Sequence, residues 1–189
     1  MAEEKNEWAL ASPLGGTGFG MAVWTVGFAF SGLITVGAGL ASAAVNLLWF
    51  AGFAQFIAGI IEFRRGSHAL GYTHGSYGVF GIATGFMFYT TLGTGTFTFP
   101  VAAAMAWYWL GWALISVILA ITTIPVSKMF SIDLWWLVIV FVLFAAGSYN
   151  ILITHIAAWM LIAMGIYTWY IVAAFSINTS FGKNIVPVK

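Results

Sequence analysis

Six long apolar segments, separated by short breaks, take up most of this chain. A helix needs ~20 apolar residues to cross the roughly 30 Å hydrocarbon core of a bilayer, because each residue adds about 1.5 Å. The segments lie at about 19–36, 43–63, 76–92, 100–124, 132–149 and 152–175. The chain is 62% apolar and only 6% charged, whereas an ordinary soluble domain is about a quarter charged. We therefore predict an all-α, polytopic membrane protein with six transmembrane helices.

The basic residues provide an independent test of this count. Lysine and arginine near helix ends collect on the cytoplasmic side of a membrane. All of them precede segment one or follow segments two, four and six: Lys5, Arg64, Arg65, Lys128, Lys183 and Lys189. With an even number of crossings these positions share one side, and the three loops of the other side carry none. The sequence thus predicts a multi-pass protein of the plasma membrane, with both termini in the cytoplasm and one domain over residues 1–189.

Composition and spacing exclude several classes of function. A formal net charge of +1 does not fit a nucleic-acid partner, which requires clustered Lys and Arg. There is no cysteine, so thiolate metal sites and cysteine nucleophiles are excluded. His68 and His74 are predicted in the connection after segment two, and His155 near the opposite surface, so the histidines do not share one depth. We expect no bound metal, no cofactor and no enzymatic activity.

The few polar side chains within the segments are candidates for a solute path. Gln55 and Glu62 are seven residues apart, which places them on one helix face. Either this face lines a wet path, or Gln55 makes an interhelical hydrogen bond. Glu62 lies beside two arginines, and Asp133 lies near Lys128. For both carboxylates, hydrated pairing at the membrane surface is the simpler interpretation.

Small residues form a stripe on segment three. Gly78, Gly81 and Gly85 lie on one helix face, and such faces allow helix backbones to approach closely. The stripe therefore predicts a tightly packed bundle. A small bundle with no catalytic constellation and almost no charge is typical of a path for a small solute, which has to bind weakly enough to leave.

Short motifs along nearly the whole chain point to a family. They are Ser-Pro-Leu-Gly-Gly-Thr-Gly-Phe-Gly at 12–20, Gly-Phe-Ala-Gln at 52–55, Ala-Gly at 58–59, Glu62 to Gly66, Ser-Tyr-Gly at 76–78, Ala-Ala-Gly-Ser at 145–148 and Phe-Gly-Lys with Val-Pro over 181–187. In this order they resemble the motifs of the acetate uptake transporters, also called succinate/acetate permeases. Leu10 and Ala11 stand where the family signature has Asn and Pro.

The resemblance implies an architecture and a set of site residues. Members of this family form a ring of six subunits, each with its own solute path. The residues that correspond to the family's constriction are Phe19, Tyr77 and Leu137. Further positions expected on the substrate path are Gln55, Glu62, Ser76, Pro13, Leu14 and Gly15. The three constriction residues fall in the first third of segments that enter from the cytoplasm, so they can meet at one depth.

We therefore expect a homohexameric permease or anion channel for acetate and related small carboxylates such as succinate. Transport is either channel-like or proton-coupled, and the residues do not decide between these. Two alternatives stay open: a six-helix channel for small neutral solutes such as urea or short amides, and a structural membrane protein without a conduit.

Overall fold

The computed structural model describes residues 8–93 and 102–188. Every regular element in these ranges is helical, which confirms the predicted all-α class. The helices are α1 (Ser12–Phe30), α2 (Val36–Asn46), a π-helix (Leu47–Ala54), α3 (Gln55–Arg64), α4 (His68–Gly93), α5 (Ala102–Thr123), α6 (Lys128–Gly147) and α7 (Ile151–Phe181). Because α2, the π-helix and α3 follow one another without a break, the described residues form six long helices.

Four of these helices are long and apolar enough to cross a membrane. They are Gly37–Arg64, Ala102–Thr123, Lys128–Gly147 and Ile151–Phe181. The other two, α1 and α4, correspond to the first and third predicted spans and contain many glycine, hydroxyl and histidine residues, which lower their hydropathy. The described residues thus contain several apolar helices of membrane-spanning length.

The ends of α1 and α4 differ from those predicted. Helix α1 begins at Ser12 instead of near Phe19, because Pro13 lies in its first turn, where a fixed φ favours helix formation. It is followed by Gly32, whose φ of +83° is readily adopted only by glycine. Helix α4 begins at His68, eight residues before the predicted start, because polar residues in its first two turns hide it from hydropathy. His74 therefore lies within a helix and not in a connection.

Other boundaries also shift. The second predicted span begins earlier, at α2, and the sixth continues to Phe181. The predicted break near Gly95 and the first residues of the fourth predicted span lie outside the described residues. These shifts leave the order of the helices unchanged.

The glycine stripe of α4 makes the close helix packing that the sequence predicted, and its partners are the π-helix and α3. A methyl group added to Gly78 would lie 2.6 Å from the backbone nitrogen of Phe56. At Gly81 it would lie 2.6 Å from the nitrogen of Gly52, and at Gly85 the same distance from that of Leu48. Because only hydrogen fits at these contacts, the two helices approach backbone to backbone.

Helix α1 lies inside the bundle. It packs chiefly against α7 and also contacts α2, the π-helix, α3 and α4, while α5 packs mainly on α6. Large apolar side chains cover much of the outer surface, among them Trp107, Leu114 and Ile166. An apolar exterior around a tightly packed interior suits a bundle surrounded by lipid or by neighbouring subunits.

Candidate functional site

A narrow cavity of about 40 Å³, called the central cavity here, lies in the middle of the bundle. Its walls come from α1, the π-helix, α3, α4, α5, α6 and α7. The lining residues are Phe19, Ala22, Val23, Val26, Leu47, Ala51, Gln55, Phe80, Thr84, Phe88, Trp109, Leu137, Val140, Phe141, Phe144 and Leu161. The lining residues are thus almost all apolar. The exceptions are Gln55, Thr84 and the indole nitrogen of Trp109. Thr84 bonds the Tyr108 hydroxyl and the Phe80 carbonyl.

The three predicted constriction residues lie close to this cavity. Phe19 and Leu137 both line it, and the ring centroid of Tyr77 lies 5.7 Å from that of Phe19. All three side chains are buried. The structure therefore brings them into one region, and their role as a constriction stays a prediction.

Hydrogen bonding limits what Tyr77 can do. Its hydroxyl lies 2.7 Å from Ser116 Oγ, and Ser116 Oγ in turn donates to the carbonyl of Trp112. Because the serine proton is used in that second bond, the Tyr77 hydroxyl is the donor to Ser116. Tyr77 therefore presents its ring to Phe19 while its only proton is engaged elsewhere.

Gln55 carries an unpaired donor beside the central cavity. The side chain is 1% exposed, and its Oε1 lies 3.5 Å from Nδ1 of His74 on α4. Among the described residues, nothing accepts a hydrogen bond from Gln55 Nε2. An unpaired buried amide is costly, so this group is ready to bind a polar solute. The sequence left open whether Gln55 bonds a neighbouring helix or lines a solute path. The structure agrees with both, since Gln55 contacts His74 on α4 and lines a cavity.

Glu62 has a different setting from the hydrated one that the sequence indicated. Its side chain is fully buried, because the beginning of α1 replaces water around it. Its Oε1 accepts hydrogen bonds of 2.8 Å from the backbone nitrogens of Ala11 and Ser12 and from Ser12 Oγ. Its Oε2 pairs with Arg65 Nη1 at 2.8 Å. Glu62 thereby ties the start of α1 to α3, and it lines neither the central cavity nor the one described next.

A second cavity, the inner cavity, has a volume of about 30 Å³ and lies at the end of the bundle where α1 begins. Its lining residues are Leu10, Ser12, Pro13, Gly16, Leu70, His74, Phe130, Asp133, Thr168, Ile171, Val172 and Phe175. It shares no lining residue with the central cavity. The contact between Gln55, on the central cavity, and His74, on the inner one, connects the two.

The prediction that Asp133 is a hydrated surface group paired with Lys128 is wrong. Helix α6 begins at Lys128, so Asp133 lies more than one turn inside the helix and is fully buried, whereas Lys128 is exposed. Thr168 Oγ1 donates to both carboxylate oxygens of Asp133, at 2.9 and 3.2 Å. Asp133 is therefore a buried carboxylate, like Glu62, but it lines the inner cavity.

The remaining predicted path residues, three at the start of α1 and one on α4, differ in their surroundings. Pro13 lines the inner cavity, and Gly15 packs on His74 so closely that a methyl group would lie 2.5 Å from Nδ1. Leu14 is 49% exposed and faces outward. Ser76 is half-buried on α4 and lines none of the cavities described here. These placements leave the four path assignments as predictions.

A third cavity, the outer cavity, lies at the opposite end of the bundle and has a volume of about 400 Å³. It is lined by Phe30, Phe88, Ala102, Met105, Trp109, Phe144, Gly147, Ser148, Ile151 and Thr154. Phe88, Trp109 and Phe144 line both this cavity and the central one. The three cavities thus follow one another along the bundle, separated by buried aromatic and aliphatic side chains.

Sequence reasoning missed His74, Asp133 and Thr168. The signal for the first two is their spacing from the constriction residues, since His74 is three positions before Tyr77 and Asp133 is four before Leu137. Residues at these spacings share a helix face. Thr168 carries no comparable signal. No group of three or more His, Cys, Asp or Glu residues in the described ranges is placed to hold a metal ion.

Comparison with known proteins agrees with this architecture. The bacterial acetate channel SatP has the same fold, with a TM-score of 0.85 over 97% of this chain and 100% of that one, at 24% identity. An uncharacterized protein of Methanothermobacter thermautotrophicus is 28% identical over 194 residues, which cover 96% of this chain and 92% of that protein. Residues 1–187 match the GPR1/FUN34/yaaH family, which confirms the family recognised in the sequence motifs. The chain therefore belongs to the GPR1/FUN34/yaaH family.

Proposed function

We propose that this protein is a membrane permease for acetate and related small carboxylates such as succinate. The observation that carries the proposal is Gln55, a residue with an unpaired side-chain amide that lines an otherwise apolar cavity between two further cavities toward the ends of the bundle. Family membership and the fold shared with an acetate channel support the same function.

The chemistry of the central cavity suits a small, weakly bound carboxylate. Apolar walls exclude hydrated inorganic ions, because a narrow hydrophobic constriction dewets. A cavity of about 40 Å³ has room for only a few waters, since each needs roughly 10–15 Å³ by the same measure. One amide donor orients a carboxylate without the tight binding that a buried lysine or arginine would produce, so the solute can leave. Phe19, Tyr77 and Leu137 would form the constriction.

The same proposal includes the membrane arrangement. Six helices cross the plasma membrane with both termini in the cytoplasm, as the distribution of basic residues predicts. Six subunits form a ring in which each subunit has its own path, an assembly that would cover part of the apolar exterior. The inner cavity then faces the cytoplasm, because it lies where α1 begins.

Uptake of labelled acetate into proteoliposomes tests this function. We expect protein-dependent uptake above that of protein-free liposomes, with inhibition by unlabelled succinate. Gln55→Met, which keeps the side-chain length and removes the amide, should lower uptake at least tenfold, since one hydrogen bond to a charged group contributes about 1.5–3 kcal/mol. Asn46→Leu is the matched control, because Asn46 bonds its own helix backbone.

The alternatives predict other results in the same assay. Urea flux without acetate flux would identify a neutral-solute channel, for which the uncharged lining of the central cavity is also suitable. Absence of flux for acetate, succinate, lactate and urea, from protein that is folded and correctly inserted, would leave a structural role and contradict the proposal.

A further inference from the structure

We propose that four aromatic side chains form a second constriction, the outer barrier, which separates the central cavity from the outer cavity. The four residues are Phe30, Phe88, Trp109 and Phe144. A solute then crosses two apolar constrictions in series, with the central cavity as a compartment between them. The inference rests on the proposed function, because it adds specificity-determining residues to the path proposed above.

The outer barrier lies between two cavities of very different size. Phe88, Trp109 and Phe144 line both cavities, and their exposed fractions are 2%, 7% and 6%. The central cavity has a volume of about 40 Å³ and the outer cavity one of about 400 Å³. At roughly 10–15 Å³ for each water, the first holds a few waters and the second holds tens. A solute that moves inward therefore loses most of its water at these side chains.

Contacts between the rings join the four side chains into one row. The ring centroid of Phe30 lies 5.9 Å from those of Phe88 and Phe144, with interplanar angles of 62° and 71°. The centroid of Trp109 lies 5.4 Å from that of Phe144. Tilted and edge-to-face contacts at such distances are favourable for aromatic rings. Because the four rings come from α1, α4, α5 and α6, the row extends across the bundle.

The outer barrier lies at a different depth from the predicted constriction. On three helices, a residue of the outer barrier comes after a predicted constriction residue: Phe30 follows Phe19, Phe88 follows Tyr77, and Phe144 follows Leu137. The separations are 11, 11 and 7 residues, or roughly 10–16 Å along a helix axis. The same helices thus carry two barriers, one at each end of the central cavity.

Close packing fixes the backbone and the rings around the outer barrier. Phe30 is the last residue of α1, and its neighbour Ala29 lies against α2. A methyl group added to Gly39 of α2 would lie 2.6 Å from Ala29 Cα. In the other half of the row, Trp109 stacks on Phe141, with the ring centroids 5.7 Å apart. The outer barrier is therefore a defined part of the folded structure.

The chemistry of the four side chains suits a barrier to water and hydrated ions. None of them carries a charge, and the indole nitrogen of Trp109 is the one polar atom among them. A narrow apolar constriction dewets, and removing water from an inorganic ion without replacing it is strongly unfavourable. Because the two barriers lie in series, either one alone keeps such ions out when the other is weakened.

Access of a thiol reagent to single cysteines tests the outer barrier. The chain contains no cysteine, so one introduced thiol reports on one cavity. Val23→Cys places it on the central cavity and Ser148→Cys on the outer cavity, which faces the outside in the proposed orientation. Intact cells that contain either variant are treated with methanethiosulfonate ethylsulfonate, an anion that does not cross membranes. We expect fast labelling of Ser148→Cys and slow labelling of Val23→Cys.

Removal of one ring should admit the reagent to the central cavity. Phe144→Ala, combined with Val23→Cys, should raise the labelling rate several-fold. Phe86→Ala is the matched control, because Phe86 lies on the outer surface of α4 and is 59% exposed. Phe30→Ala replaces Phe144→Ala if that protein does not fold, since Phe30 is only half-buried and its truncation disturbs the core less.

Release of chloride from loaded proteoliposomes tests whether the two barriers act in series. Phe144→Ala and Leu137→Ala each leave one barrier intact, so each should retain chloride as the wild type does. The double variant should release it several-fold faster than either single variant.

Four results would overturn the outer barrier. They are slow labelling of Ser148→Cys, fast labelling of Val23→Cys without a further substitution, an unchanged labelling rate of Val23→Cys after both Phe144→Ala and Phe30→Ala, and chloride release by Leu137→Ala equal to that of the double variant. None of these readouts depends on acetate flux. Absence of acetate uptake by the wild type, together with the expected labelling, would instead contradict the proposed function and leave the outer barrier supported.

Discussion

Glu62 and Asp133 are two fully buried carboxylates near the same end of the bundle, and their surroundings are opposite. Glu62 accepts three hydrogen bonds from the beginning of α1 and pairs with Arg65. Asp133 accepts hydrogen bonds from the single hydroxyl of Thr168 and lines a cavity. Because burial is equal, the partners alone separate a carboxylate that ties two helices together from one that has a single hydroxyl partner beside a cavity. The comparison teaches that burial of a charge becomes informative only once its partners have been counted.

The largest effect is expected at Glu62. Glu62→Ala removes one partner of a buried pair and leaves the Ala11 and Ser12 amides without their acceptor. Such losses cost about 3–5 kcal/mol, so we expect a much lower Tm in detergent and a poor yield. Arg64→Ala is the control, since Arg64 is exposed on the same helix. A Tm within a few degrees of the wild type would contradict the structural role assigned to Glu62.

Leu137, one turn beyond Asp133 on α6, should show a strong effect on selectivity. Leu137→Ala enlarges the central cavity, so larger monocarboxylates such as lactate should enter, at a stability cost of roughly 2–5 kcal/mol. Competition of lactate with labelled acetate in proteoliposomes measures the change. Leu134→Ala is matched in size and burial but lies outside the cavity linings. Equal lactate competition in both variants would contradict the assignment of Leu137 to the solute path.

Gly15 probes the His74 half of the inner cavity with a smaller change. A methyl group at Gly15 would lie 2.5 Å from His74 Nδ1, so Gly15→Ala should displace the imidazole and lower acetate uptake several-fold. Gly111→Ala is the control, because nothing lies within 4 Å of the added methyl; the higher helix propensity of alanine should raise stability by up to ~1 kcal/mol there. Unchanged uptake by a folded Gly15→Ala protein would show that the position of His74 does not matter.

The smallest effect on stability is expected at Asp133. Asp133→Asn keeps the shape and removes a charge that has no basic partner, so the free energy of unfolding should change by less than about 1 kcal/mol or rise. Thermal unfolding in detergent, run beside Glu62→Gln, makes the comparison direct. A loss as large as that of Glu62→Gln would mean that Asp133 is a structural group, and the contrast between the two carboxylates would disappear.

The helical class and the order of the helices were predictable from the sequence. Long apolar runs and the glycine stripe of α4 follow from local chemistry that does not depend on neighbours. The start of α4 was not predictable from hydropathy, because the helix contains polar residues whose burial depends on packing against α1 and α3. For the same reason His74 was assigned to a connection.

The settings of the two carboxylates could not be predicted either. Both lie a few residues from basic side chains in the sequence, so proximity along the chain suggests the same surface pairing for each. Only the tertiary structure brings the start of α1 to Glu62 and the hydroxyl of Thr168 to Asp133. The spacings of His74 from Tyr77 and of Asp133 from Leu137 were available, but they acquire meaning only after the constriction residues have been named.

Because of the π-helix, the direction in which later residues of the second long helix face depends on the exact number of residues in Leu47–Ala54. Such segments amount to extra residues within an α-helix and occur frequently at functional sites. Here Leu47, Ala51 and Gln55, spaced four residues apart, all face the central cavity, while Glu62 meets α1 further along. Deleting one residue from Leu47–Ala54 would rotate everything after it, moving Gln55 and Glu62 away from their partners at once. We therefore expect natural relatives to vary the side chains of this segment much more readily than its length.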